Sequence, residues 1–312
     1  RMEAVFSPNS YGYRPNKSAH NALERVRKNV RRYSWAIDMD IKAFFDEVNH
    51  ELLLKAVDKH VSEKWVRMYI VRWLECPIQT SKGEFIQKQG KGTPQGGVIS
   101  PLLANLFLHY VLDKWLEKEY PQLTFVRYAD DVIVHCYNER QSLEVLNAIK
   151  NRLAECKLRL SEVKTKIVYC LDYNRMQRKD YSKKFDFLGF TFKPHSIKSK
   201  TGRGMYLGFG CEISQKSQSR IIRFWKELEL HRNSPLTIQD IADKLNSQIR
   251  GIIRYYGYST IRHLQGLFRH LEFRLAKWYR NKYKERSYRL AFKRMRDIKF
   301  NFPTMFYHWQ FF

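Results

Sequence analysis

The chain is short of the residues that staple small folds or hold metal. Its five cysteines, Cys76, Cys136, Cys156, Cys170 and Cys211, are odd in number, widely spaced and contain no CxxC pair. That argues against a disulfide framework or a cysteine zinc site and fits a reducing compartment. All five read as small buried hydrophobes. The ten histidines show no metal-ligand spacing. No apolar run approaches the roughly 20 residues of a membrane span, and the opening RMEAVFSPNS is not a signal peptide. There is no internal repeat and no long low-complexity linker. Acids are scarce as well: 31 Asp and Glu stand against 57 Lys and Arg, a formal balance of +26 in 312 residues. Such an excess points to a large polyanionic partner. From Ser214 to Lys299 there are 21 basic and 7 acidic residues, a net of +14, so more than half of the surplus lies in little more than a quarter of the chain. This region reads as packed helices, which disfavours a membrane-surface anchor.

What is present is patterned. AIDMDI (36–41) reads as a short strand, 49–61 and 63–74 as helices, with Trp65, Met68, Tyr69 and Trp73 at helical spacing. A strand at 84–89 and a Gly- and Pro-punctuated loop (90–98) follow. A long helix then starts with Ser100 as N-cap and Pro101 at the first helical position. Strands at 124–128 and 132–137 flank a bend, a helix covers 141–156, and 166–169 and 187–192 read as further strands. The alternation predicts an α+β fold for about the first 210 residues. The stretch HSIKSKTGRG, within 195–214, reads as a loop-like boundary. Beyond it the pattern is helical: 214–231, 237–256 and 261–284, the last with Leu264, Leu267, Phe268, Leu271, Leu275 and Trp278 in one apolar stripe.

The sharpest local feature is Tyr128-Ala129-Asp130-Asp131 between two apolar runs. Adjacent acids at a bend repel each other and call for a cation; a hard, oxygen-seeking ion such as Mg²⁺ is the natural partner. Asp40, at the end of another apolar strand, is a second candidate. If the strands are neighbours, Asp40 and Asp130 can share two metal ions about 3.5–4 Å apart. Neighbouring residues on a strand face opposite ways, which leaves the part of Asp131 open. A lone acid pair at a turn is otherwise a solvated loop. Gly92-Thr93-Pro94-Gln95-Gly96-Gly97 allows close backbone approach to a ligand, and Gln95 can bond a base or sugar edge; alone it is equally a structural turn.

These residues fall into a recognisable order. FSPNSYGYRPNKSAHNAL, DMDIKAFFDEV, GTPQGGVISPLLANLFLHYVLD, FVRYADDVIV, LSEVKTKIV and FDFLGFTF, across residues 6–192, are similar to the successive blocks of group II intron reverse transcriptases, and LNSQIRGIIRYYGYS looks like their maturase motif. The resemblance implies a right-hand polymerase, with partial fingers and palm over 1–210 and a helical thumb and maturase module over 211–312. It implies catalytic, metal-holding roles for Asp40, Asp130 and Asp131, with two Mg²⁺ ions that Mn²⁺ can replace. By the same likeness Phe45 lies under the incoming sugar and disfavours a 2′-hydroxyl, and Gln95 lies against the nascent pair. Arg14, in the fingers element, and Lys164, near the incoming nucleotide or primer end, are the expected substrate contacts; a solvated basic side chain is the alternative for either. Leu188 and Gly189 form a primer-gripping turn. Arg250, Arg254, Tyr255 and Tyr256 are the expected RNA contacts, by charge and stacking; helix-face packing is the alternative for the tyrosines.

The implied partners are intron RNA, an RNA template, a DNA primer and dNTPs, with a homodimer in view and no membrane. The implied place is a bacterial cytoplasm, at the nucleoid when DNA is the target. The chain opens within the family's second block and closes at NFPTMFYHWQFF with no Cys- or His-rich nuclease motif, so incomplete fingers and no second-strand cleavage are expected. RNA-directed DNA synthesis is the leading reading. Its rivals are a maturase acting mainly as an RNA-binding splicing factor, and a related bacterial reverse transcriptase of phage defence or CRISPR adaptation.

Overall fold

Alternation along Trp35-Ala36-Ile37-Asp38-Met39-Asp40 puts Trp35, Ile37 and Met39 on one face of a strand and the two aspartates on the other. The three apolar residues are buried and both aspartates stay partly open. The computed structural model describes residues 2–79, 83–86, 89–93, 97–176, 180–198, 204–232, 235–258 and 261–312. In chain order the elements are α1 (Ala19–Arg32), β1 (Trp35–Asp40), α2 (Phe44–Glu47), α3 (His50–Asp58), α4 (Lys64–Glu75), β2 (Ile78–Gln79), β3 (Phe85–Ile86), α5 (Ser100–Leu108), α6 (Lys114–Glu119), β4 (Thr124–Tyr128), β5 (Asp131–Cys136), α7 (Glu139–Glu155) and β6 (Lys166–Tyr169). Then come β7 (Phe185–Phe187), β8 (Phe190–Lys198), β9 (Met205–Ile213), α8 (Gln215–Glu227), α9 (Ile238–Tyr256), α10 (Gln265–Tyr283) and α11 (Tyr288–Asn301). The chain divides into two units, Arg1–Phe185 with Lys193–Gly210, and Asp186–Phe192 with Cys211–Phe312.

In the first unit β4, β5, β1 and β6 form one antiparallel sheet in that order. The β1–β5 register sets Asp40 opposite Asp131 and Ile37 opposite Val134. Trp35, Ile37, Met39, Val132, Val134 and Cys136 share a core with Leu106, Phe107 and Leu112 and with Val145, Ile149 and Leu153 of α7. Between α5 and α6 lies a π-helical turn, His109–Asp113, a rare irregularity that redirects the side chains it carries. Side-chain caps begin several helices: Ser18 accepts from the Asn21 amide at α1, and Asn138 from the Gln141 amide at α7.

The second unit holds α8 to α11. All six residues of the predicted stripe, Leu264 to Trp278, are buried. Thr237 and Asp240 form a capping box at the start of α9. The closing segment is held by Glu272, whose Oε1 accepts from Trp309 Nε1 at 2.7 Å and pairs with His308 Nε2 at 2.8 Å. Among the described residues no helix is long and apolar enough to cross a membrane.

Four expectations are corrected. Ser100 is the first helical residue and Ile99 the cap; an isoleucine side chain has no acceptor, so the start carries no side-chain cap bond, and Pro101 in the first turn supplies the helical φ. The strand read at 187–192 is two strands broken by a turn at Leu188–Gly189, both with positive φ. Much of the boundary read as loop at 195–214 is strand, in β8 and β9, where His195 and Ile197 lie against Gly210 and Gly208. Cys76 is exposed, while the other four cysteines are buried and all five are free.

Candidate active site

The acids come together because two strands end side by side. Asp40 closes β1, Asp131 opens β5, and they are register partners. Opposed residues of an antiparallel pair point to the same face, so Asp40, Asp131 and Tyr128 share one face of the sheet. Asp130 is the second residue of the two-residue turn between β4 and β5, and Ala129 before it has φ +57°. A positive φ in a residue other than glycine is a costly conformation that needs support from its surroundings.

That support is a buried polar frame. Arg127, on the core-facing parity of β4, donates Nε to Asp113 Oδ1 at 2.7 Å and Nη2 to Asp113 Oδ2 at 2.5 Å. Its Nη1 donates to Asn105 Oδ1 at 2.8 Å and to the Ala129 carbonyl at 3.1 Å. Asn105 Nδ2 in turn donates to the Gly12 carbonyl at 2.8 Å. Gly12 lies so close to the turn that a Cβ there would fall 2.5 Å from the Ala129 nitrogen; only glycine fits. The side chains of Arg127 and Asp113 are both fully buried. Burial pushes the Asp113 carboxyl up, but the charge and hydrogen bonds of Arg127, with a smaller share from His109, bring it below the usual carboxylate range.

A fourth group meets the acids. The Ser161 amide donates to the Asp40 carbonyl, and a helical turn at Ser161–Thr165 carries Lys164 over the Asp40 carboxylate. Lys164 Nζ donates to both Asp40 oxygens, at 3.1 and 3.0 Å, while its side chain stays 67 % exposed. Its pKa is raised by this hydrogen bond and pairing with Asp40, and further by the charges of Asp131 and Asp130. Asp130 is held above the usual range, first by burial and then by the negative charge of Asp40, against the Lys164 and Arg127 charges and a backbone hydrogen bond that pull it down.

The remaining predicted residues are distributed as follows. Phe45 is half-buried on α2, edge-on to the buried Phe44 at 5.3 Å. Its carbonyl accepts from the Thr93 amide at 2.6 Å, and the Gly92 amide donates to the Val48 carbonyl, so the start of the Gly-rich loop is tied along α2. Gln95 lies outside the described residues. Arg14 is not a solvated base: its side chain is 6 % exposed and paired with Glu3, Nε at 2.6 Å. Its Nη1 donates to the Ser7 and Ser10 carbonyls. These bonds turn the guanidinium inward, so Arg14 organises the N-terminal segment.

In the second unit the Leu188–Gly189 turn is gripped by its own neighbours. Tyr255 Oη donates to the Leu188 carbonyl at 2.9 Å, and the Gly189 carbonyl accepts from the Ser214 amide and the Ser217 hydroxyl. Gly189 has φ +79°, and a Cβ there would sit 3.1 Å from Ser217 Oγ and 3.2 Å from Tyr256 Oη. Gly189→Ala is therefore expected to destabilise this unit by about 1–2 kcal/mol, read as a lower denaturant midpoint with an unchanged slope. Tyr256 is buried and its ring packs on Phe190 at 5.4 Å, which leaves it no open face for a base. Arg250 and Arg254 are exposed, Arg250 lying over the Tyr307 ring.

Arg127, Asp113, Asn105 and Gly12 escaped the sequence reading. The signal was present: Arg127 shares the parity of buried Phe125, and Asp113 ends an apolar helix. A base and an acid on faces that must be buried call for each other.

The profile of the reverse transcriptase (RNA-dependent DNA polymerase) family matches residues 1–192, and that of the group II intron maturase-specific domain matches 219–296. Protein YkfC of Escherichia coli is 29% identical over 208 residues, 54% of either chain. The group II intron-encoded protein LtrA of Lactococcus lactis subsp. cremoris is 24% identical over 333 residues, 83% of this chain and 54% of that one. Among solved structures, apo telomerase from Candida tropicalis aligns with 88% of this chain and 52% of its own at 13% identity and a TM-score of 0.47. The chain thus spans about half the length of the curated relatives it matches. The acid cluster lies in the reverse transcriptase match and the basic helices in the maturase match, and the chain belongs to the group II intron reverse transcriptase/maturase family.

Proposed function

We propose that the chain is an RNA-directed DNA polymerase that extends a DNA primer on an RNA template with dNTPs, and that it binds intron RNA for splicing and mobility. The observation that carries this reading is the gathering of Asp40, Asp130 and Asp131 around Lys164 in a chain of net charge +26. Clustered acids repel a nucleic acid, so a protein that only held RNA would gain nothing from them.

Asp40, Asp130 and Asp131 would hold two Mg²⁺ ions, for which Mn²⁺ can substitute. The donor chemistry fits: the set is oxygen only, and Lys164 already places a cationic group on Asp40. Among the described residues no three His, Cys, Asp or Glu close into a finished metal cage, and Mg²⁺ commonly takes one or two carboxylates and completes its shell with water and substrate phosphates. Such ions would activate the primer 3′-hydroxyl and stabilise the pyrophosphate leaving group. Arg127 and Gly12 keep the Asp130 turn in place. Phe45, backed by Phe44, would exclude a 2′-hydroxyl. Gln95 would lie against the nascent pair.

Lys164 would exchange its hold on Asp40 for the nucleotide's phosphates. Lys164→Ala is then expected to raise the dNTP KM about tenfold, the worth of one charged hydrogen bond, while lowering the Mg²⁺ needed for half-maximal rate. Steady-state titrations of dNTP and Mg²⁺ read both effects.

Arg250 and Arg254 would contact RNA phosphates, with Tyr255 and Tyr256 serving the Leu188–Gly189 turn. A bacterial cytoplasm, at the nucleoid when DNA is the target, is the proposed setting; five free cysteines and bacterial relatives support it. The test is primer extension on RNA beside intron-RNA binding over a salt series. Extension supports the polymerase. Tight, salt-sensitive binding without extension supports the maturase alternative, which the basic second unit favours.

A further inference from the structure

Helix α4 turns three large rings to solvent. Trp65, Tyr69 and Trp73, at i, i+4 and i+8, are 64%, 44% and 45% exposed. Their centroids form a ladder, 6.4 Å from Trp65 to Tyr69 and 6.1 Å from Tyr69 to Trp73. The helix anchors itself by another face, where Ile70 and Leu74 are buried. An aromatic stripe of this size left in water marks an interaction surface. Its flank is basic. Lys64, Arg67, Met68, Val71 and Arg72 line a hollow of about 460 Å³ beside the stripe. Arg72 lies over the Tyr69 ring at 5.9 Å, and Arg67 is held by Asp58 at 2.6 Å.

We propose that this face of α4 is a docking platform for unpaired nucleic acid, with bases stacking on Trp65, Tyr69 and Trp73 and phosphates following Lys64 and Arg72. Stacking rings beside a basic track are what a single strand requires, because every unpaired base offers a flat face and every linkage a negative charge. A duplex hides its base faces and has no use for the rings. A second copy of this chain would bring the same positive flank and be repelled. The platform lies outside the acid cluster, and it stands whether or not the chain polymerises.

The test uses the full chain and a fluorescein-labelled 12-nucleotide oligo(U), with oligo(dT) and a duplex of equal length as further arms. Titration is expected to quench tryptophan fluorescence and raise anisotropy with either single strand. The Trp65→Ala/Tyr69→Ala/Trp73→Ala variant should weaken single-strand binding by about tenfold or more. Duplex binding should change less than twofold, and the Tm should be unchanged, since the rings are exposed. A Trp65→Phe/Tyr69→Phe/Trp73→Phe variant should retain most of the affinity, because stacking needs a ring and not its polar edge. Preference between oligo(U) and oligo(dT) tells which strand the platform serves. Equal binding of both oligo(U) and oligo(dT) by the alanine variant and the unmodified chain would overturn the proposal. So would unchanged binding together with a shift from dimer to monomer in sedimentation, which would make the stripe an interface between copies.

Discussion

Asp130→Ala is expected to lower single-turnover primer extension by about 10³-fold or more, as several kcal/mol of transition-state charge stabilisation are lost at about 1.4 kcal/mol per tenfold. Stability should move the other way or not at all. Burial and the neighbouring Asp40 charge hold the Asp130 carboxyl above its ordinary range. A raised folded-state pKa means that the folded chain binds the proton more tightly than the unfolded one. Ionised Asp130 therefore costs stability at neutral pH; the cost fades as the pH falls through the folded-state pKa and is gone below the unfolded-state value. Alanine removes that cost. Activity lost with an equal or higher Tm is the mark of a residue kept for chemistry. A variant that lost Tm and activity together would make Asp130 a structural acid. One within threefold of the parent rate would remove it from the reaction.

Asp113→Ala is expected to cost about 3–5 kcal/mol of folding stability, the range for stranding one charge of a buried pair. The Arg127 guanidinium has no solvent to turn to, since neither side chain is exposed. Because the folded-state pKa of Asp113 is depressed, its contribution is present above the unfolded-state pKa and lost as the pH falls through the folded value. Arg127→Met combined with Asp113→Leu should recover most of the stability, because the double change leaves no buried charge. The recovered protein should still extend primers poorly: Ala129, in a costly conformation, loses the Arg127 hydrogen bond, and Asn105 Oδ1 loses its donor. Equilibrium denaturation and extension assays separate the two effects. A loss under 1 kcal/mol in Asp113→Ala would mean that water reaches the pair.

How much of this was legible in the chain follows from where each pattern is local. The β1 and β4 strands and the apolar stripe of α10 were readable because alternation and helical periodicity report burial directly. The meeting of Asp40 with Asp130 and Asp131 was readable only on the assumption that two strands are neighbours; the register supplies it. The inward pairing of Arg14 was not legible because its partners, the Glu3 carboxylate and the carbonyls of Glu3, Ser7 and Ser10, leave no periodic trace. Tyr256 stays open in the sequence because a tyrosine beside arginines looks the same whether its ring stacks on a base or packs on Phe190; its burial fits the packing alternative. Apolar alternation alone runs a strand through the Leu188–Gly189 turn, which only the family resemblance marks, because a reversal there needs positive φ at both residues and only Gly189 advertises it. The π-helical turn that presents Asp113 has no composition of its own.

The most direct test of the central claim is single-turnover primer extension on an RNA template with dNTPs over a Mg²⁺ series, with Asp40→Asn beside the unmodified chain. Asparagine keeps the shape of the side chain and removes its charge. The account predicts Mg²⁺-dependent extension by the unmodified chain and its loss in Asp40→Asn, with RNA binding and Tm retained. Equal extension by both proteins would contradict it, as would no extension by the unmodified chain at saturating Mg²⁺ and dNTP.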